Sequence, residues 1–168
     1  AMKPVICKVH GFAVAGGSGI ALCADITIMA DTAHIGYMPT RVWGCPTTAM
    51  WVHRLGPEQA KRMMFTGDKV NGTEAAAMGL VLKSVPDQQL DAEVENLAQR
   101  MASVPINQLA MQKMVINSAV EEKINQTQRL ATLLDGMTRH SPEGLNFKAR
   151  VEEVGWKQAV NERDNGTY

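Results

Sequence analysis

The sequence has little of what marks a nucleic-acid binder, a membrane protein or a metalloprotein. Its 17 Lys and Arg are matched by 17 Asp and Glu, so no field of one sign attracts nucleic acid or an anionic membrane. Cysteine is scarce: Cys7, Cys23 and Cys45 lack C-x-x-C spacing, and with four scattered histidines they make no metal-ligand pattern. They read as free thiols in a reducing compartment. No apolar run approaches membrane-spanning length and the N-terminus has no signal-peptide pattern, so a cytoplasmic protein is expected. A serine-hydrolase elbow is also missing, because Gly17-Ser18-Gly19 is too short for G-x-S-x-G and Ser18 has no evident His and Asp partners. There is no internal repeat or low-complexity tract.

What is there is a chain of 168 residues, 45% apolar and 20% charged, enough for one ordinary globular core. It is organised around Ala13 to Asp25, AVAGGSGIALCAD. Ahead of that stretch Val5, Ile6, Cys7 and Val9 form a mostly β-branched run that fits a buried parallel strand. Behind it Ile20 to Ala24 is an apolar run suited to a buried helix. Gly16, Gly17 and Gly19 lie between, and two readings of them stay open. Either they let helix and strand pack closely, or they expose helix N-terminal amides to a phosphate or a developing oxyanion. A dinucleotide fingerprint fits less well, since the third glycine position falls on Leu22 and no acidic residue closes a second strand.

Further along, Asp25 to Ala30 predicts a second buried strand and Asp31-Thr32-Ala33 its exit turn. His34 to Pro46 reads as a loop. A helix is predicted from Thr47 to Leu55 with Gly56 at its end, and another from Pro57 to Gly67. Asn71-Gly72-Thr73-Glu74 has capping-box spacing, Gly79 ends that helix, and Leu80 to Val85 predicts a third strand stopped by Pro86. Beyond it, apolar residues recur at helical spacing: Leu90, Val94, Leu97 and Met101, then Leu109, Met114 and Val115, then Leu130, Leu133, Leu134 and Met137. Ser141-Pro142-Glu143 opens a last helix.

Two blocks carry a resemblance. KPVICKVHGFAVAGGSGIALCADITIMADTAHIGYMP is similar to KPVIAAVxGxAxGGGxELAxxCD and the strand after it, the central signature of the crotonase (enoyl-CoA hydratase/isomerase) superfamily. RLGPEQAKRMMFTGDKVNGTEAAAMGLVLKSVP resembles that family's RLxGxxxAxxxxLTGxxxxAxxAxxxGLVxxVV. The resemblance implies an α/β protein with the crotonase-like (ClpP/crotonase) ββα spiral core. Residues 1–86 would form the C-terminal part of that core, 87–160 a helical region for oligomerisation and active-site closure, and 161–168 a flexible tail. It also implies that further N-terminal strands belong to the fold, so a C-terminal portion of a longer protein is expected.

In the family, the amide of the second residue in the glycine run points at the thioester carbonyl of an acyl-CoA. That role falls here on Gly16, or on Gly17 if the register shifts. Hydratases add two glutamates that position water and move protons. The first position is Gly19, and the second is Thr40, or Pro39 on an ungapped count, so no carboxylate is supplied. Tyr37, Met38, Arg41 and Trp43 are candidates to line the acyl or CoA channel; Arg41 and Trp43 read equally as a stacked surface pair. Tyr37 is a possible hydrogen-bond donor but, with a pKa near ~10, a poor base. His34 reads as solvated or structural, and Asp25 as a structural pair at the helix–strand junction.

The implied partners are an acyl-CoA thioester and further copies of the chain, as a homotrimer or dimer of trimers. No metal or permanently bound cofactor is implied, and CoA enters as part of the substrate. Three functional readings remain: a hydratase/isomerase-like enzyme, a non-catalytic acyl-CoA binder, and another family reaction such as hydrolysis, decarboxylation or C–C cleavage.

Overall fold

In the computed structural model, which describes residues 1–168 apart from the side chains at 122 and 123, the β-branched run forms strand β1, Ile6–Val9. Gly11, at φ +76°, then turns the chain into a second strand, β2, Phe12–Val14. Three residues are too few to show a period of two, so β2 carries no strand signal in the sequence. Strand β3, Ile26–Ala30, lies where a second buried strand is predicted. The segment read as a loop from His34 opens instead with β4, His34–Gly36, followed by a 3₁₀ turn, Met38–Arg41. Two more short strands are β5, Lys69–Asn71, and β6, Lys83–Val85.

These strands make two sheets. β1, β3 and β6 are parallel in that spatial order, with Ile6 opposite Ile26 and Ile28 opposite Lys83. β2 runs parallel to β4, with Val14 opposite Gly36, and β4 is antiparallel to β5. Parallel pairing brings the C-terminal ends of β2 and β4 out at one edge. Helix α1, Gly16–Cys23, starts there and therefore contains the glycines, where the sequence reading began the helix only at Ile20. Ser18 closes its first turn, donating from its backbone N–H and its hydroxyl to the Ala15 carbonyl at 3.1 and 2.6 Å.

Helix α2, Met50–Thr66, is broken at Gly56 (φ +72°, ψ 171°) before Pro57, so it consists of two helical segments that meet at a kink, as the sequence predicts. Gly67 ends it in the left-handed conformation, its N–H donating to the Met63 carbonyl at 3.0 Å. The capping box forms at the start of α3, Gly72–Ala77. The Glu74 amide donates to Asn71 Oδ1 at 2.9 Å and the Asn71 amide to Glu74 Oε2 at 2.8 Å. Helices α4 (Leu90–Ala102), α5 (Ile106–Thr138), α6 (Pro142–Val154) and α7 (Trp156–Asp164) follow.

The core lies between the sheets and the early helices. Leu22, Ile28, Met29, Ile35, Trp51, Met63 and Leu80 are buried in it, each such side chain stabilising the fold by roughly 1.5–3 kcal/mol. The 33-residue α5, about 50 Å long at 1.5 Å per residue, instead leaves Met114, Val115, Leu130 and Leu133 exposed. Residues 161–168, expected as a flexible tail, carry α7 on to Asp164 and set the Tyr168 ring edge-on to Phe147 at 5.4 Å. Arg163 is buried over the same Phe147 ring, so cation–π and apolar contact anchor this segment. No helix among the described residues is long and apolar enough to cross a membrane.

Gly72, the first residue of α3, packs against the end of β3. A Cβ there would stand 2.1 Å from the Ala30 carbonyl oxygen, a backbone atom that cannot step aside. Gly72→Ala is expected to destabilise the protein by about 1–3 kcal/mol in urea unfolding.

Candidate functional site

The site begins with an unusual turn. Ala15 has φ +53° and ψ −125°, a region that L residues enter at a cost of order 1–3 kcal/mol. The family signature, counted along the chain, has its first glycine at this position. Neighbouring hydrogen bonds hold Ala15 there: its N–H donates to the Gly36 carbonyl at 3.0 Å, and its own carbonyl accepts from Ser18, whose side chain is buried. The turn aims the chain so that Gly16 and Gly17 open α1 with amides that have no intrahelical acceptor. Both residues are exposed, and a Cβ built on Gly16, Gly17 or Gly19 meets nothing within 4 Å. Close helix–strand packing is therefore not what requires glycine at these positions.

Gly16 and Gly19 form part of the wall of a cavity of about 600 Å³. Ile20 and Cys23 of α1, Ile6 and Cys7 of β1, Thr47 and Thr48 ahead of α2, and Asp25 and Lys113 also line it. Burial pushes the Cys7 thiol above its ordinary pKa. The two charged groups satisfy each other. Asp25 Oδ2 accepts from Lys113 Nζ at 2.6 Å and from the Val5 amide at 2.7 Å, and Lys113 also donates to the Lys3 carbonyl at 3.0 Å. Asp25 thus has the structural role expected of it. Its partner Lys113 stands 88 positions further along the chain, and nothing local to either residue signals the pairing. Thr47 and Thr48 likewise fall, by sequence, at the start of a predicted helix. That helix in fact begins at Met50 and leaves both threonines in the wall.

The other candidates lie elsewhere. Thr40 donates its hydroxyl to the Met64 carbonyl at 2.8 Å, joining the 3₁₀ turn to α2. Arg41 acts as a clamp: Nε donates to the Thr66 carbonyl at 2.9 Å, Nη2 pairs with Asp68 at 3.2 Å, and Nη1 reaches the Asp164 carbonyl. Arg41 and Trp43 do not stack on each other. Trp43 lies beneath the Arg139 guanidinium, 4.4 Å away, and lines a separate cavity of about 260 Å³ with Phe147 and Trp156. Tyr37, just ahead of the 3₁₀ turn, and Met38, its first residue, are half-buried, and neither lines the Gly16 cavity. His34 stacks on Phe12, with ring centroids 5.5 Å apart. The segment after Trp43 is held by α5, with the Gly44 amide donating to Thr138 Oγ1 at 2.9 Å and the Cys45 amide to Asp135 Oδ1 at 3.0 Å. Burial first, and then the Asp135 charge, push the Tyr37 phenol up to about 12.

Two outcomes are expected from this geometry. Ala15→Gly removes the conformational cost and is expected to raise stability by about 1 kcal/mol in urea unfolding. The Tyr37 phenol ionises near ~10 in the unfolded chain and near about 12 in the fold. Its contribution to stability is therefore whole below pH ~10 and is lost as pH rises toward 12. Tyr37→Phe is expected to flatten that part of the stability–pH curve, measured by unfolding between pH 9 and 12.

The fold and turn can be set beside known proteins. The family model described as enoyl-CoA hydratase/isomerase matches residues 1–153. The crotonyl-CoA hydratase of Syntrophomonas wolfei is 31% identical over 149 residues, 85% of this chain and 57% of that protein. The mitochondrial enoyl-CoA hydratase of Pongo abelii is 31% identical over 135 residues, 76% of this chain and 45% of that protein. A crystal structure of an enoyl-CoA hydratase from Mycobacterium smegmatis superposes with a TM-score of 0.94 at 45% identity, covering 98% of this chain and 57% of that one. The chain thus spans about half the length of the relatives it matches. By its fold, its glycine turn and these matches, the chain belongs to the enoyl-CoA hydratase/isomerase family of the crotonase superfamily.

Proposed function

We propose that the protein acts on an acyl-CoA thioester, with the amide of Gly16, and Gly17 beside it, donating to the thioester oxygen as it takes on enolate or oxyanion character. The observation that carries this reading is the opening of α1: amides without an intrahelical acceptor at an open helix start, with Gly16 in the wall of a cavity of about 600 Å³. One such donor is worth on the order of 10²–10³ in rate when aimed at developing charge. CoA is part of the substrate, and no bound cofactor is required. The free thiols of Cys7, Cys23 and Cys45 support a reducing, cytoplasmic setting. The exposed apolar residues of α5 support assembly with further copies of the chain as a homotrimer or dimer of trimers.

A second reading has its own support. Gly19 supplies no side chain to the cavity, Thr40 spends its hydroxyl on the Met64 carbonyl, and the carboxylate that lines the cavity, Asp25, is paired with Lys113. General acid–base help, roughly 10²–10⁴ per group, is thus missing from the two usual positions. This favours binding without hydration, or a reaction such as thioester hydrolysis, decarboxylation or C–C cleavage, in which oxyanion stabilisation carries more of the barrier.

The test uses full-length protein and crotonyl-CoA, following loss of the conjugated thioester absorbance and measuring binding by calorimetry. Binding with slow hydration is expected. Because the space at Gly19 is open, Gly19→Glu should fold and raise hydration on the order of 10²-fold. Fast hydration by the unaltered protein would place the acid–base groups elsewhere. Absence of binding by any acyl-CoA would remove the proposal.

A further inference from the structure

Ala15 stands between two peptide planes, and each is held by a different partner. The plane shared with Val14 carries the Ala15 N–H, which donates to the Gly36 carbonyl at 3.0 Å. The plane shared with Gly16 carries the Ala15 carbonyl and the Gly16 N–H, which point in opposite directions. That carbonyl accepts from the Ser18 hydroxyl at 2.6 Å and from the Ser18 amide at 3.1 Å. Because a trans peptide is flat and rigid, fixing its carbonyl also fixes the N–H on the far side. The Ser18 side chain is fully buried, so its hydroxyl serves this bond and not solvent.

The competing arrangement is a flip of that one plane. Turning it by about 180° takes Ala15 from φ +53°, ψ −125° to the same φ with ψ about +55°, the left-handed α region that alanine tolerates better. Gly16 takes up the compensating rotation, since it has no Cβ and the space beside it is open. After the flip the Ala15 carbonyl faces outward in place of the Gly16 N–H, and its dipole repels a developing oxyanion. Backbone strain at Ala15 thus favours the flip, and the bonds from Ser18 oppose it.

Resting on the reading that the Gly16 amide donates to a thioester oxygen, we propose that Ser18 is a positioning residue whose buried hydroxyl keeps the peptide between Ala15 and Gly16 in its donating orientation. Ser18 touches no substrate and acts through the Gly16 amide. A hydrogen bond accepted by the carbonyl also polarises the peptide, which strengthens donation by its N–H. The need for the hydroxyl is conditional on residue 15. Glycine adopts either orientation without a Cβ penalty, so with glycine at that position Ser18 becomes dispensable.

A conjugated dienoyl thioester, 2,4-hexadienoyl-CoA, reports the donation itself, because its absorbance moves to longer wavelength when a donor polarises the carbonyl. It is bound to the full-length protein, to Ser18→Ala and to the double variant Ala15→Gly with Ser18→Ala, and affinity is measured by calorimetry on the same samples. The unaltered protein is expected to give the shift. Ser18→Ala loses most of it while affinity stays within about tenfold, since one hydrogen bond to the ligand is lost and the rest of CoA is held as before. The double variant regains the shift. A full shift in Ser18→Ala overturns the assignment, and so does a double variant as impaired as Ser18→Ala, which makes Ser18 a packing residue. Should Ser18→Ala fail to fold, the double variant decides: folding with the shift supports the assignment, and folding without it, or failing to fold, overturns it. If the unaltered protein binds the thioester without a shift, or does not bind it, the reading of Gly16 as donor fails and this assignment falls with it.

Discussion

The hydrogen bond from the Ala15 amide to the Gly36 carbonyl, 3.0 Å long, is the contact on which the turn into α1 depends. It joins the end of β2 to the end of β4 one residue past their last register pair, Val14 and Gly36. In doing so it holds Ala15 at a positive φ that a non-glycine residue does not adopt unaided. The Ser18 hydroxyl and amide complete the turn from the other side. Without this sheet-edge bond the chain would have less reason to leave β2 at the angle that starts α1 on Gly16. The strain at Ala15 is thus compensated by three hydrogen bonds and by burial of Ser18, a local arrangement consistent with a site whose backbone geometry matters more than its side chains.

The same arrangement depends on main-chain geometry and not on acidic side chains. A main-chain donor survives side-chain replacement provided that the turn persists. Gly19 therefore leaves the amide in place while removing the carboxylate position. At the second position the short 3₁₀ turn carries Thr40 and Arg41 toward the end of α2, where both make hydrogen bonds that hold elements together. Arg41 also reaches the carbonyl of Asp164 near the chain's end, so this turn is a structural junction between α2 and α7.

Much of the architecture is legible in the sequence because its signals are short-range. Asn71 and Glu74 close a capping box whose two hydrogen bonds lie within three residues. Gly56 and Gly67 break and end α2 where positive φ is needed, and β1 and β3 follow β-branched runs. The strands that went unread, β2, β4 and β5, are three residues each. Such lengths carry no period, and their pairing is decided by partners further along the chain. Likewise the last turn of α7 falls within residues 161–168, where Arg163 lies over Phe147 and Arg41 reaches the Asp164 carbonyl, contacts that no local spacing signals.

By itself the sequence determined the glycine turn, the caps, the family and the lack of carboxylates at Gly19 and Thr40, because each depends on residue type at fixed short spacing. Only the tertiary structure decided which polar groups share the Gly16 cavity. Lys113 crosses 88 positions to neutralise Asp25, and Thr48 stands in the wall while Tyr37, Arg41 and Trp43 do not line it. Such meetings are set by burial and long-range packing, which act on the folded surface of each element and leave no spacing rule along the chain.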